Sequence, residues 1–508
     1  MPQGLLPFKY EAEKKQSGLT ALGGLPVYLD LAKVAGLQRL AEKHLAARKG
    51  SQGWSDGQMI TALILLNLTG GDCVDDLEVL ESDEGFCQVV RRAENHGLPR
   101  RERRELEKRW RKKRNRTLPS ASAVFRYLDL FHNPEQEELR VTGRAFIPAA
   151  NKHLAGFAKV NRDMLGFLQA NNPCTIATLD MDATLVETLK SAALFGYKGF
   201  CCYQPFNTWW AEQEVIVHTE FRDGNVPAGF EQLRVFNEAL NCLPQGVEKV
   251  RLRSDTAGYQ HNLLRYCEIG KNERFGRIEF AIGCNVTKEF KKAVAEVSEE
   301  DWQPVYTIRD NKRVPSGTEW AEVCFVPDAM GHSKNSPVYR YLAKRSVLNC
   351  QQTLPGVEQE NEDLPFPTMA LQEKRYKVFG IVTNMEWHGE RLIHWHHERC
   401  GKSEEAHAIM KDDLAGGKLP SGNFGANAAW WWIMILALNL NNIMKSLALD
   451  ATWQPKRLKA IRFRLINLPG RVVEHARTLW VRLSEHNPSF DLLLTIRRKI
   501  RELQPVFT

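Results

Sequence analysis

The chain has 508 residues, 43% of them hydrophobic and 26% charged, with a net charge of +8. That length exceeds one compact core and leaves room for two to four domains, and the composition excludes a collagen-like or largely disordered chain. The eleven cysteines are scattered without a CxxC pair, the N-terminus lacks the apolar core of a signal peptide, and the longest apolar run, Ala428 to Leu438, stops at Asn439. A reducing, cytoplasmic setting without a membrane span is therefore expected.

From the N-terminus to about residue 150 the pattern is helical. Ser55 followed by Gln58 reads as a capping box opening the helix that carries Met59 to Leu66, and Asp72 to Leu80 continues the pattern after Gly70-Gly71. Residues 100–116, RRERRELEKRWRKKRNR, hold eleven Lys or Arg against three Glu, so this block alone accounts for the net charge of the chain. Arg109, Arg111, Lys112, Lys113 and Arg114 are candidate DNA contacts, because each phosphate neutralised releases counterions. A solvated, salt-bridged helix is the other reading, given the interleaved Glu102, Glu105 and Glu107. The turn Pro119 to Ser122 before Val124, Phe125, Tyr127 and Leu128 is compatible with a helix-turn-helix.

Character changes near residue 173. Thr175 to Met181, Gly199 to Tyr203 and Glu214 to Phe221 read as strands, and Pro227 to Leu243 as a helix. Lys249 to Arg253 reads as a fourth strand, Tyr259 to Ile269 as a helix and Arg277 to Ile282 as a fifth strand. Three strands, a helix, a strand, a helix and a strand is the order of a ribonuclease-H-like core. Residues 288–390 turn mixed, with β-like stretches at Val305 to Arg309, Ala321 to Val326 and Tyr376 to Thr383, as an insertion would. Helical character returns at Ser403 to Ala415 and Asn427 to Lys445, followed by a basic region. The expected fold is α/β. It comprises an all-α DNA-binding region (1–150), a ribonuclease-H-like catalytic domain (170–287 and 391–450), a β-rich insertion (288–390) and a helical basic C-terminal region (451–508).

The strand period of two puts Asp180 and Asp182 on one face near a strand end, and Asp255 directly follows the fourth strand. Carboxylates amid apolar neighbours are costly unless paired or metal-bound. With a third acid from the helix of Cys400 to Lys411, they could clamp two magnesium ions about 4 Å apart for phosphodiester chemistry. Glu404 and Lys411 are seven residues apart and would share a helical face. Singly, each acid is more simply a turn, cap or dipole residue, and only their joint placement speaks for a site. Gly401-Lys402-Ser403 is no phosphate-binding loop, since the glycine required five positions earlier is His396. His394-Trp395-His396-His397 with Cys400 holds zinc-ligand types, but strand alternation would set His397 opposite its neighbours.

The segments LDMDATLVET, YKGF, NTWWAEQ, FRDGNVPAG, LRSDTAGYQ and CGKSEEAHAIMK, in this order, resemble the bacterial insertion-sequence family 1380 of DDE transposases, related to the Tn5-like group. The resemblance spans nearly the whole chain. It implies a ribonuclease-H-like domain interrupted before the glutamate by a β-rich insertion, and cut-and-paste transposition at terminal inverted repeats with Mg2+, for which Mn2+ can substitute. It further implies Asp182 rather than Asp180 as first acid, Asp255 as second and Glu404 as third, all three both catalytic and metal-holding. Arg399 and Lys411 would contact the DNA backbone. The sequence departs from the related group's tyrosine, arginine, glutamate, lysine signature: His396 stands where tyrosine is usual, and Arg399 lies five residues before Glu404 instead of four. Glu405 therefore stays an alternative third acid. Trp302 and Trp320 would be core residues or would stack on an unpaired base. Double-stranded DNA and a second copy of the chain are the expected partners, with no membrane. A DNA-binding repressor without catalysis and a nuclease that never joins ends are the alternatives.

Overall fold

Ser55 caps the helix Asp56–Thr69 as its spacing predicts. The Ser55 hydroxyl accepts from the Gln58 amide at 3.3 Å, and the Gln58 side chain accepts from the Ser55 amide at 3.1 Å, so two donors left open at the helix start are satisfied reciprocally. The computed structural model describes residues 18–48, 50, 52–327, 337–348, 366–371 and 374–505. Among the described residues before 176, the chain forms helices and loops apart from a two-residue strand, Leu19–Thr20. The basic block forms the helix Arg100–Lys108, none of whose residues is buried. Eleven non-helical residues and the Ser120 cap separate it from the helix Ala121–Leu128, so the tight turn of a helix-turn-helix is not formed there.

Ten strands build one mixed sheet: β1 (Ile176–Ala183), β2 (Phe206–Trp210), β3 (Val215–Glu220), β4 (Lys249–Ser254), β5 (Glu279–Cys284), β6 (Gln303–Arg309), β7 (Lys312–Val323), β8 (Arg340–Val347), β9 (Thr368–Leu371) and β10 (Lys374–Thr383). The order across it is β3-β2-β1-β4-β5-β10-β8-β7-β6, with β9 paired on β10. β4 runs parallel to both β1 and β5, and the remaining pairs are antiparallel.

Four expectations from the sequence differ from the structure. The stretch Gly199 to Tyr203 supplies Cys201–Tyr203 to a separate three-stranded sheet, and the second strand of the main sheet is Phe206–Trp210. All five residues of that strand are buried, so it lacks the alternation that marks a half-exposed strand. The segment 391–397, taken as a strand for the zinc reading, belongs to the helix Gly389–His397, whose buried residues Gly389, Leu392, Ile393 and His396 fall at i, i+3, i+4 and i+7. Residues 451–508 are not wholly helical, because β11 (Gly470–His475) and β12 (Thr478–Leu483) form a hairpin that pairs with Leu19–Thr20. The strands of 288–390 extend the main sheet from the β5 edge instead of standing apart from it.

The helix Phe424–Leu447 is buried on every side from Phe424 to Asn441, as a helix apolar all round must be. Its polar groups are satisfied: Trp430 Nε1 donates to the Ala415 carbonyl at 2.8 Å, and Asn439 bridges the amide and carbonyl of Ile216, each at 2.8 Å. One hydrophobic core cluster runs from Leu25 through this helix and the sheet to Ile500. Trp302 and Trp320 are core residues, 8% and 5% exposed, with the Arg345 guanidinium 4.0 Å from the Trp302 ring centre. Among the described residues, no helix is long and apolar enough to cross a membrane.

Candidate active site

The parallel ladder between β1 and β4 pairs Asp180 with Arg253 and Met181 with Ser254. The next residue along each chain is Asp182 on β1 and Asp255 just past the end of β4, so the two follow neighbouring strands that lie about 4.8 Å apart. Burial, and after it the Asp182 charge, push the Asp255 carboxyl above the usual carboxylate range, while Arg399 opposes them. Asp255 Oδ1 accepts from the Ala257 amide at 3.0 Å, which fixes its rotamer as the cap of a short turn. A β-carbon at Gly283 on β5 would come within 3.2 Å of the Thr256 amide nitrogen, so the absence of a side chain there lets the Asp255 turn close onto the sheet.

Asp180 serves a different purpose. It is 2% exposed and takes a bidentate pair from Arg253, at 2.6 and 2.8 Å, and Arg253 Nη1 continues to the Trp395 carbonyl at 2.5 Å. The sheet is thereby tied to the helix Gly389–His397. His396, on that helix, is held neutral by burial, with its pKa pulled down to about 3. Its Nε2–H donates to the Ser254 carbonyl at 3.1 Å, immediately before Asp255.

The chain breaks after Arg399: Cys400 is extended and Gly401 sits at φ 90°, a conformation glycine adopts without penalty. A new helical stretch then carries Ser403 and His407, four residues apart on one face. Ser403 donates to Asp182 Oδ2 at 2.6 Å, His407 Nδ1 lies 4.0 Å from the same oxygen, and Arg399 Nη1 lies 3.6 Å from it. The His407 tautomer is set by a chain of donors: Trp431 to Thr219 (2.9 Å), Thr219 to Asn207 (2.7 Å), and the Asn207 amide to His407 Nε2 (3.4 Å). Nε2 accepts, so the proton sits on Nδ1, facing Asp182. Asn207 lies directly across from Asp182 in the β1–β2 ladder. Ser403, His407 and Asn207 escape the sequence reading. The i, i+4 spacing of Ser403 and His407 is a signal for the first two, whereas Asn207 sits in the strand that lacked alternation.

Glu404 and Glu405 are both exposed. Glu405 turns toward Lys445 and Arg457, whose charges it influences, while Glu404 follows Ser403 in the chain and is exposed. The oxygens of Asp182, Asp255 and Glu404 do not all fall within 4.8 Å of one another; among the described residues only Asp72, Cys73 and Asp76 form such a group. That group is a helix cap: Asp76 Oδ2 accepts from the Asp72 and Cys73 amides at 2.9 and 3.2 Å, and Lys418 pairs with Asp72 at 2.6 Å. The neighbouring carboxylates of Asp182 and Asp255 do fit a divalent cation, because positive charge between them would relieve the repulsion that, after burial, raises Asp255.

Lys411 lies in a π-helical turn, Ile409–Asp413, and its Nζ reaches the Leu185 carbonyl at 3.4 Å, on the Asp182 side. Arg399 is 8% exposed and its Nε has no hydrogen-bond partner among the described residues. In the basic block, Arg111, Lys112 and Lys113 are exposed. Arg109 donates to the Gly53 carbonyl at 3.1 Å. Arg114 turns inward, pairing with Glu94 at 2.8 Å with its guanidinium 4.3 Å from the Trp54 ring centre.

The family model described as transposase DDE domain group 1 matches residues 9–505. No curated protein matches the chain. Among solved structures, a piggyBac transposase synaptic complex with hairpin DNA, determined by cryo-EM, is 10% identical over 88% of this chain and 81% of that chain, with a TM-score of 0.40.

Proposed function

The chain belongs to the transposase DDE domain group 1 family, and we propose that it cuts and rejoins DNA at the terminal inverted repeats of an insertion sequence of family 1380, related to the Tn5-like group. The observation that carries this reading is the β1–β4 register, which brings Asp182 level with Asp255, the residue after β4, at one end of two central strands. The order β3-β2-β1-β4-β5, with two parallel pairs at its centre, supports a ribonuclease-H-like core. Asp182 and Asp255, joined by Glu404, would hold magnesium, which when bound supplies Lewis-acid activation of the scissile phosphodiester.

The protein's own residues do the positioning. Ser403 and the Ala183 amide hold both oxygens of Asp182, at 2.6 and 3.0 Å, and His396 steadies the backbone before Asp255. The unpartnered Nε of Arg399 is a buried donor suited to a phosphate oxygen, and Lys411 offers a second positive charge. Arg111, Lys112 and Lys113 would follow the DNA backbone outside the site. Cutting two ends calls for two copies of the chain on DNA, in the cytoplasm where the element resides.

Full-length protein incubated with a duplex carrying the element's ends and Mg2+ tests the reading. Asp182→Ala and Asp255→Ala should each abolish cleavage and leave DNA binding intact, and cleavage that survives both substitutions overturns it. The exposed position of Glu404 favours a second reading, a DNA-binding derivative without catalysis. Failure of the unsubstituted protein to nick DNA even with Mn2+ would select that one.

A further inference from the structure

The β11–β12 hairpin and the strand Leu19–Thr20 form a small sheet whose two faces differ. The inner face buries Val472 against the N-terminal helices, and Arg92 clamps the hairpin by donating to the Arg477 carbonyl at 2.8 Å and to Glu474 at 2.7 Å. On the outer face the register places Arg471 opposite Arg482 and Val473 opposite Trp480, with Leu19 beside Arg471. Both arginines are exposed, and Trp480 is 55% exposed. Like charges directly opposite one another in a sheet are unfavourable, and neither arginine has an acidic partner among the described residues. The one acid of the hairpin, Glu474, is on the inner face with Arg92. The hairpin turn adds a further cost, since Ala476 and Arg477 take φ 49° and 63°, where Asn-Gly is favoured.

We infer that this outer face is a docking surface for duplex DNA, with Arg471 and Arg482 on phosphates and the Trp480 ring against the sugar edge. An opposed arginine pair that repels itself in the protein alone becomes favourable once a polyanion lies across it, because two guanidinium forks spaced by one strand separation can each take a phosphate. An indole on a rigid ribbon supplies contact area at little entropic cost. The choice of duplex DNA over other polyanions rests on the transposase reading; the surface itself rests on charge and register.

The test measures binding of the full-length protein to a 30-base-pair duplex of arbitrary sequence as a function of salt, for the unsubstituted chain and for R471Q/R482Q, R471K/R482K and W480A. R471Q/R482Q should bind roughly tenfold more weakly near 0.1 M salt and lose about 1.8 from the slope of log affinity against log salt, the value for two phosphate contacts. R471K/R482K should keep the slope, which shows that the fold tolerates change there, and W480A should lose affinity with its slope kept. An unchanged slope in R471Q/R482Q overturns the inference, as does loss of self-association in sedimentation without loss of DNA affinity, which would make the face a contact between copies. If the slope falls as expected while the unsubstituted protein cleaves nothing, the surface stands and the enzymatic reading fails.

Discussion

Asp180 and Arg253 face each other across the parallel β1–β4 ladder in a bidentate ion pair at 2.6 and 2.8 Å, two residues ahead of Asp182 and Asp255 on their respective strands. The neutralised rung and the acidic rung share one face of the sheet, so the first fixes the spacing of the second. A buried pair of this kind contributes little net stability, yet loss of one member strands the other charge. Asp180→Ala is expected to cost about 3–5 kcal/mol in denaturant unfolding, and the double variant Asp180→Leu, Arg253→Met should recover most of it. If the single variant unfolds at the same denaturant concentration as the parent, the pair has been misjudged.

The repulsion at the acidic rung has a measurable consequence. Asp255→Asn should leave thermal stability in chelator equal to or above that of the parent, by up to about 1 kcal/mol, because a like-charge contact disappears. The same substitution should remove the stabilisation that Mg2+ or Mn2+ gives the parent by binding the folded state. A metal-induced rise in Tm that persists in Asp255→Asn would place the ions elsewhere.

Substitution separates the two glutamates. Glu404→Gln should abolish cleavage with folding unchanged. Glu405→Gln, which removes an exposed carboxylate whose charge bears on the buried Lys445 and the half-buried Arg457, should change stability by less than about 1 kcal/mol and leave cleavage near the parent rate. The reverse outcome in a nicking assay would assign the third acid to Glu405.

His396 makes stability fall in acid. Its pKa in the folded protein is about 3, against an ordinary value of 6.5, so the unfolded chain binds a proton that the folded one refuses between these values. Its contribution is therefore complete above pH 6.5 and lost as pH falls toward 3, by an amount up to about 4 kcal/mol. His396→Gln should show a shallower decline of unfolding free energy between pH 6 and 4 than the parent; parallel declines would count against a buried neutral imidazole.

Within the basic block, position decides the role. Arg114→Ala should destabilise the N-terminal helices by about 1–3 kcal/mol, through the lost Glu94 pair and the lost stacking on Trp54. Lys112→Gln with Lys113→Gln should leave Tm unchanged and make the salt dependence of DNA binding shallower. Equal Tm values for Arg114→Ala and the parent would return Arg114 to the DNA-facing set.

The amino-acid order alone determined which segments become strand or helix where local signals mark them, as the Ser55 capping box does for Asp56–Thr69 and Val, Ile or Thr do for β1, β3 and β4. It also placed Asp182 and Asp255 at the ends of the strands that carry them, because strand periodicity and capping chemistry are local. Only the tertiary structure decided that Asp180 is sealed by Arg253, that Arg114 folds inward, that Ser403, His407 and Asn207 surround Asp182, and that the strands of 288–390 lengthen the main sheet. β2, Phe206–Trp210, has neither alternation nor the run of β-branched residues that marks β3. The left-handed Gly401 resets the helical phase between Arg399 and Glu404, so counting along the chain cannot orient the glutamate. Such relations depend on the register between remote strands, which is fixed by whichever pairing buries the most apolar surface while satisfying every polar group; that condition belongs to the folded chain as a whole.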